Sequence, residues 1–458
     1  MQREILYYNS CAMASLFSEF LSVNYLRLYL FCIFLCFPLK KYTKTGKITH
    51  SIRIRMQNTE YGDESFMKKV IALVLALMLM VPAFAMAENI VKIGVFEPSS
   101  GDNGAGGKQE VLGVEYAYSL KPTVTVGGVE YTVQLVNVDN QSDSSKAVTA
   151  AQELVSAGVS VVLGSYGSGA SMAGGDVFAA AEVPAIGLSC TNPSVTTLCD
   201  YYWRICFLDP FQGSVMANFA NSLGAKKAYI LCMLGEDYGT GLAHYFKDAF
   251  KALGGEVVGD EIATFPEGTS DFTAYINNAL NAGADCVFAP CATTYASLII
   301  DQAASLNVSF PLLAGDTWES SVILDAAKGK NINVYVSTFF DENDDGAAAA
   351  EFVSGFKAWL NANADKKTNN GGNDIVAAVS ALGFDGYNVA LAAIEAAGSI
   401  DAKAIAEALP ALVYEGAVTG SISFDEIGDA NKDMAYVKQA NTETGAFDFV
   451  KTQTVAGL

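Results

Sequence analysis

The chain has 458 residues, 51% of them hydrophobic, with 28 Lys+Arg against 49 Asp+Glu and a formal net charge of −21. So acidic a surface repels nucleic acid and anionic membranes, which argues against both as partners. The length is that of two domains, each able to bury its own core.

The first 66 residues are basic and aromatic, as in NYLRLYLFCIFLCFPLKK, and resemble nothing downstream. Met67 then opens MKK, the apolar run VIALVLALMLMVPAF, and AMA before Glu88. A basic start, an apolar stretch and a small-x-small cleavage site make a secretory signal. The expectation is an upstream extension over 1–66 that is not native, with Met67 the true start. A signal peptide over 67–87 is then removed by cleavage, leaving an extracytoplasmic or periplasmic mature chain from Glu88. The apolar run is short for a span, and no cysteine opens the mature chain, so no lipid anchor is expected. A membrane anchor around Tyr25 to Pro38 would have an apolar core shorter than the roughly 20 residues a span needs. The first 87 residues carry 10 of the 28 basic and 5 of the 49 acidic residues, which leaves 18 against 44, a balance of −26.

From Glu88 on, strand-like and helix-like segments alternate. IVKIGVF (90–96) precedes the helical GKQEVLGVEYAYSL (107–120). KPTVTVGGVEYTV (121–133) reads as a hairpin turning at Gly127-Gly128, and YTVQLVNV (131–138) as a strand. SSKAVTAAQELVSAG (144–158) is helical; VSVVLG (159–164), VPAIGL (183–188) and KKAYILCML (226–234) are strands. TGLAHYFKDAFKALGG (240–255), TSDFTAYINNALNAG (269–283) and ATTYASLIIDQAASLN (292–307) have helical periodicity. Between and after them, ADCVFAP (284–290) and INVYVSTFF (332–340) are strand-like. Continuous apolar strands separated by helices mean βαβ units and a parallel sheet. There are too many units for one sheet of ordinary size, so two α/β lobes are predicted.

In such sheets ligands sit beyond the carboxyl ends of the strands. Polar knots do follow the strands: EPSSGDNGAGG (97–107), SYGSGAS (165–171), SCTNPS (189–194), GEDYGTG (235–241) and GDTWESS (315–321). Several chemistries compete for them. A dinucleotide loop needs G-x-G-x-x-G, but Gly167 and Gly169 are followed by Met172, and no lysine follows as in a P-loop. A hydrolase elbow needs G-x-S-x-G, whereas glycines flank Ser168 directly. A triad also needs a histidine. The chain has two, His50 in the extension and His244 on a helix face, so no enzyme and no catalytic residue is predicted.

The loop DENDDG (341–346) approaches a calcium loop, but Phe352 stands where a bidentate Glu is required and Glu351 is one short. It reads better as a cap on the helix that follows. Six cysteines follow Ala87, namely Cys190, Cys199, Cys206, Cys232, Cys286 and Cys291. Their spacings fit no metal motif. Cys199 bridged to Cys190 or Cys206, or buried free thiols, are equal alternatives. No metal and no cofactor is predicted. What remains is a ligand carboxylate, held by short hydroxyls and free backbone N–H groups without a lysine.

VKIGVFEPSSG, VNVDNQSDSSKAVTAAQELV, VVLGSYGSGAS, VPAIGLSCTNPSVT, WRICFLDPFQG, GEDYGTGLA and LAGDTW stand in a specific order and spacing. With them, nearly all of Glu88 to Leu458 resembles the periplasmic leucine/isoleucine/valine-binding proteins, the type I substrate-binding receptors of ABC importers. The resemblance implies two doubly wound Rossmann-like lobes joined by three crossovers, with a ligand cleft between them that closes by a hinge like a trap. The expected division is 88–208 plus 341–411 for lobe 1 and 209–340 plus 412–458 for lobe 2.

It also implies ligand contacts. Ser168 hydrogen-bonds the ligand carboxylate, Ser189 offers its backbone, Thr191 its hydroxyl, Tyr238 covers the ligand and Asp316 pairs with its ammonium. The chain departs from the family at two aromatics. Gly106 stands in place of a pocket tryptophan, and Ala292-Thr293 in place of a tyrosine. The side-chain pocket is then open unless Tyr166, Phe96 or Trp318 fills it, and Glu97 adds a polar contact. The family's cysteine pair is missing near Ser142 and Gly167. The function implied is delivery of an amino acid, branched-chain, aliphatic or an analogue, to separate permease and ATPase subunits by a monomeric receptor. The alternative is a sensor for another metabolite, such as an amide or aromatic acid.

Overall fold

The computed structural model describes residues 89–454. The expectations for the extension over 1–66 and the signal peptide over 67–87 lie outside the described residues. Those described belong to one compact unit.

The first lobe is built by β1 (Ile90–Glu97), α1 (Gly104–Leu120), β2 (Thr123–Val126), β3 (Val129–Asp139) and α2 (Ser144–Ala157). It continues through β4 (Val161–Leu163), α3 (Ser168–Ala180), β5 (Ala185–Gly187), the short α4 (Ser194–Thr197) and β6 (Tyr202–Arg204). The sheet order is β2-β3-β1-β4-β5-β6. All neighbours are parallel except the β2–β3 hairpin. That hairpin turns at Gly127 and Gly128, both at positive φ (57° and 83°), as a two-residue turn of the favoured hand requires. Helix α2 shows how local chemistry sets an element. Asp143 caps its first N–H groups at Ser145 and Lys146, Gly158 ends it in the left-handed region, and Ala147, Ala150, Ala151 and Leu154 give it one buried face.

The second lobe follows with α5 (Asp209–Ser222), β7 (Lys227–Met233), α6 (Asp237–Ala252), β8 (Glu256–Val257), β9 (Ala263–Phe265) and α7 (Thr273–Asn281). Then come β10 (Cys286–Phe288), α8 (Thr293–Ser305), β11 (Leu312–Ala314), α9 (Ser321–Ala327) and β12 (Val334–Thr338). The chain returns through α10 (Ala347–Ala362), α11 (Ala364–Asn369), α12 (Ala378–Ala397), α13 (Ala402–Ala408) and the small ladder of β13 (Val413–Tyr414) with β14 (Ile422–Ser423). It ends in the antiparallel β15 (Met434–Asn441) and β16 (Ala446–Thr454). The second sheet has the order β16-β15-β12-β11-β10-β7-β8, and β9 also pairs with β7. The predicted two-lobed α/β architecture with parallel sheets is therefore what the chain adopts.

Three stretches pass between the lobes. The first two meet where the rings of Phe207 and Phe339 lie 4.3 Å apart, in a buried cluster that reaches into both lobes. The third lies later than the expected start of the second lobe at 412. Val418 and Thr419 donate backbone N–H groups to Asp385 on α12, and Asp429 pairs with Arg204 on β6, before β15 joins the second sheet.

Helices α1 and α12 of the first lobe cross closely. A Cβ on Gly113 would collide with the carbonyl oxygen of Ser380, and one on Gly383 with the carbonyl oxygen of Glu110. The Ser380 hydroxyl also donates to the Gln109 carbonyl at 2.7 Å. Backbone cannot yield as a side-chain tip can, so this crossing fixes where α1 presents Glu110. Gly113→Ala and Gly383→Ala should each lose about 1–3 kcal/mol of stability, although alanine is the better helix former by about 1 kcal/mol. Urea unfolding measures it, and a gain in stability would contradict the tight crossing.

Candidate ligand-binding cleft

In each sheet the chain leaves the middle in both directions, at β1 and β4 in the first and at β7 and β10 in the second. Such switch points open a crevice beyond the carboxyl ends of the strands. Glu97 closes β1. After β4, Gly164 stands at φ +111°, and a Cβ there would strike Oε1 of Glu97 and the Phe96 carbonyl. Only glycine lets this loop lie on Glu97, where the Tyr166 N–H donates to Oε2 at 2.7 Å. Ser168 begins α3, and its Oγ accepts the Asn192 N–H at 3.3 Å, which joins the two polar knots of the first lobe.

Arg204 holds the second knot from behind. It is fully buried and paired with Asp429. Its guanidinium donates to the carbonyls of Cys190 (2.9 Å) and Asn192 (2.6 Å) and to the Thr196 hydroxyl (2.7 Å). The Thr191 carbonyl accepts the Asp209 N–H at 3.0 Å. Ser189 and Thr191 thus sit on a clamped backbone with their own hydroxyls unbonded.

The second lobe supplies Tyr238 at the start of α6, where Glu236 caps the N–H groups of Tyr238 and Gly239. Burial raises the Glu236 carboxyl to about 7. Asp316 opens a 3-10 turn after β11. Its Oδ1 accepts both the Tyr238 hydroxyl (3.0 Å) and the Gln212 amide (2.8 Å). A side chain on Gly315 would fall on Tyr238 and Leu242, so glycine permits this grouping. Burial pushes Asp316 up to about 6, and the bonds from Gln212 and Tyr238 act against it.

Contacts across the cleft are few. The Tyr166 hydroxyl donates to the Thr317 carbonyl at 3.4 Å. Thr293 and Thr294 both donate to the Asp102 carbonyl, at 3.2 and 3.1 Å. The Asn192 amide donates to the Asp237 carbonyl at 2.9 Å. Between the lobes lies a cavity of 240 Å³, lined by Asn103, Gly167 and Gly169 on one side and Met233, Asp237 and Ala292 on the other.

The structure brings Ser168, Ser189, Thr191 and Glu97 together on the first wall, and Tyr238 and Asp316 on the second. Gly106 and Tyr166 are in direct apposition, since a Cβ on Gly106 would enter the Tyr166 ring. The tyrosine therefore occupies space that a larger residue at 106 would need. Two expectations require correction. Trp318 does not swing into the pocket; it is fully buried in the core of the second lobe and donates its indole N–H to the Cys291 carbonyl at 3.2 Å. Phe96 likewise packs on Phe178 in the first lobe's core. Thr293 is spent on the cross-cleft bond to Asp102.

Two bystanders also resolve. The six cysteines are buried free thiols. In the acidic loop, Asp341 and Asp344 accept bonds from Asn343 and Gly346, Tyr436 donates to Asp344, and Gly346 caps α10 without any side chain. The side-chain helix cap expected there is not formed.

Three buried residues at the cleft escaped sequence reading: Glu110, Asp209 and Gln212. Glu110 left a faint signal, since it lies four residues after Gly106 and three before Gly113 on the face of α1 that packs inward. Asp209 and Gln212 stand in the first turn of α5, a helix that opens with a proline and that the periodicity reading did not pick out. Both Glu110 oxygens, both Asp209 oxygens, Oε1 of Glu97 and Oε1 of Gln212 have no hydrogen-bond donor among the described residues. Burial pushes Glu110 up to about 8. Burial, and then the charge of Glu110, push Glu97 well above the usual range. Burial does the same to Asp209, and the Thr191 hydroxyl lies near enough to offset this in part without completing a hydrogen bond of ordinary geometry.

A family profile described as periplasmic binding protein matches residues 90–445. The chain belongs to the periplasmic binding protein family. The leucine-binding protein LivK of Thermotoga maritima is 31% identical and superposes with a TM-score of 0.70, over 80% of this chain and 100% of that one. The branched-chain amino acid binding protein LivJ of Streptococcus pneumoniae, solved with isoleucine, is 26% identical with a TM-score of 0.68 over 80% and 99%. A curated relative, Leu/Ile/Val-binding protein homolog 1 of Brucella abortus, is 28% identical over 361 residues, 78% of this chain and 91% of its own. The resemblance read from the motifs is borne out, and with it the two-lobed fold.

In this periplasmic binding protein Arg204 is a structural clamp behind the first lobe's side of the cleft. Arg204→Ala leaves Asp429 buried and unpaired, which should cost about 3–5 kcal/mol. A loss well under 1 kcal/mol in urea unfolding would show that the clamp does not hold the knot.

Proposed function

We propose that the protein is the extracytoplasmic substrate-binding component of an ABC importer and that it takes an amino acid between its lobes. The observation that carries the reading is the opposition of Asp316, braced by Gln212 and Tyr238, to the hydroxyls of Ser168, Ser189 and Thr191. A zwitterion needs donors at one end and an anion at the other. Ser168 and Thr191 donate to its carboxylate, the Ser189 backbone completes that end, and Asp316 receives its ammonium in a charge-assisted bond. Tyr238 closes over it. Because the two halves stand on different lobes, binding and hinge closure are one event.

The solved relatives named leucine-binding or holding isoleucine support an amino-acid cargo. Other structures of this fold from Rhodopseudomonas palustris hold benzoate or 4-hydroxybenzoate, at 20% and 21% identity, and speak for the fold alone. An aromatic acid would bring a second anion to Asp316 and no ammonium, so the amino-acid reading is favoured. The permease and ATPase would be separate chains. Among the described residues no helix is long and apolar enough to cross a membrane.

Calorimetric titration of the purified protein with the amino acids tests this reading. Asp316→Ala should weaken the best ligand by at least about 30-fold, the roughly 2 kcal/mol or more that loss of one partner of a buried charge pair costs. Unchanged affinity would remove Asp316 from the ammonium site. The pH dependence has a definite sign. Only the ionised Asp316 pairs with an ammonium, and its carboxyl sits at about 6. Affinity should fall as the pH drops through that value, as Asp316 takes up its proton. A profile flat from pH 7.5 to 5 would contradict the assignment.

A further inference from the structure

We propose that the ligand carries a second cationic group, an ammonium or guanidinium on its side chain, and that Glu97 and Glu110 receive it. The inference rests on the amino-acid reading above and extends it to the side-chain end. Glu97 and Glu110 are both almost wholly inaccessible (2% and 0%) and they face one another. The Tyr166 N–H satisfies one of their four oxygens. Oε1 of Glu97 and both oxygens of Glu110 have no donor. Two carboxyls can share one proton, but that proton serves one oxygen as donor and one as acceptor. It leaves acceptors over, in a place where an unsatisfied polar atom is costly.

A second, independent group points into the same place. The Ser189 hydroxyl is buried beside Glu110 and partly offsets its burial, yet neither group completes a hydrogen bond of ordinary geometry. On the opposite lobe, Oε1 of Gln212 is buried without a donor next to Asp316. The unmet groups are chiefly acceptors, so the missing partner is a donor with several N–H bonds to give.

Among the described residues no cation serves this purpose. The groups acting on Glu97 and Glu110 are each other, Tyr166, Ser189, Cys190 and Asp316. Buried Arg204 is committed to Asp429 and to backbone carbonyls, and buried Lys438 to Glu319. No three His, Cys, Asp or Glu side chains among the described residues converge as a metal ion would need. The interlobe cavity continues the theme. Asp102, Asp143, Glu236, Asp237 and Glu267 line it, and no lysine or arginine does. An interlobe surface of one sign draws ligands of the other.

The departures from the family's aromatics fit this. Gly106 and Glu110 lie on one face of α1, so the helix offers no ring at that face, only the Tyr166 ring against the glycine and a carboxyl one turn on. An aliphatic side chain there would bury two unmet carboxyls against carbon. A lysine or arginine side chain would lay its methylenes on Tyr166 and its charged head between the acids.

Titration of the purified protein with L-lysine, L-arginine, L-leucine and cadaverine decides it. L-lysine or L-arginine should bind at least tenfold more tightly than L-leucine. The Glu97→Gln/Glu110→Gln double variant should bind the preferred basic ligand at least tenfold more weakly. L-leucine binding more tightly than both basic amino acids would overturn the proposal while leaving the amino-acid reading intact. So would a double variant that keeps wild-type affinity for the basic ligand. Should that variant fail to fold, the wild-type order decides alone. Cadaverine bound as tightly as L-lysine would keep the cation site and remove the carboxylate role of Ser168. Binding of no amino acid would overturn both readings.

Discussion

A carboxyl group removed from water without a donor is among the costliest things a fold can bury. Elsewhere this protein avoids it. Asp429 meets Arg204, Glu319 meets Lys438 and the Ala378 N–H, and Asp385 takes the N–H groups of Val418 and Thr419 with the Thr419 hydroxyl. Around the cleft the same chain leaves Glu97 at the end of β1, Glu110 on α1 and Asp209 at the start of α5 with unmet oxygens. The contrast is what marks a site. On the reading proposed above, these oxygens await a donor that the ligand brings.

The surrounding architecture serves that constraint. Glycines at 113 and 383 let α12 press on α1 and hold Glu110 inward, while Gly164 and Gly315 let loops approach Glu97 and Tyr238. Besides the Ala378 N–H that α12 donates to the Glu319 carboxyl of the second lobe, the direct bonds across the cleft are single neutral hydrogen bonds at Tyr166, Thr293, Thr294 and Asn192. Each is worth only about 0.5–1.5 kcal/mol net. Closure therefore depends on what lies between the lobes. A ligand that completes acceptors on both walls favours the closed state by its differential affinity for that state.

Much of this was legible in the sequence. Strand-then-knot order placed the cleft, because parallel strands all present their carboxyl ends to the same side. Ser168, Ser189, Thr191, Tyr238 and Asp316 all stand at such ends. Glu110 did not announce itself, because a single acid on a helix reads as solvent-facing until the partner helix is known, and α12 lies some 270 residues away in sequence. Trp318 misled for the opposite reason. Its neighbour Asp316 faces the cleft, but two residues along a tight turn the side chain points back into the core. The acidic loop at 341–346 is satisfied by its own backbone and by Tyr436, which residue type alone does not reveal.

The central claim is that an arriving cation completes the Glu97–Glu110 pair, and proton release tests it most directly. Glu110 stands at about 8, and both acids are raised chiefly by burial. The groups facing them are Tyr166, Cys190 and Asp316, and of these Asp316, at about 6, is already ionised at pH 7.5. The empty pair thus holds protons at pH 7.5 that an ammonium or guanidinium displaces. Calorimetry of L-lysine or L-arginine binding in buffers of differing ionisation enthalpy counts them. The account predicts release of about one proton at pH 7.5, a pH below the carboxyl's own value. Tight binding of either ligand with no proton released would contradict it.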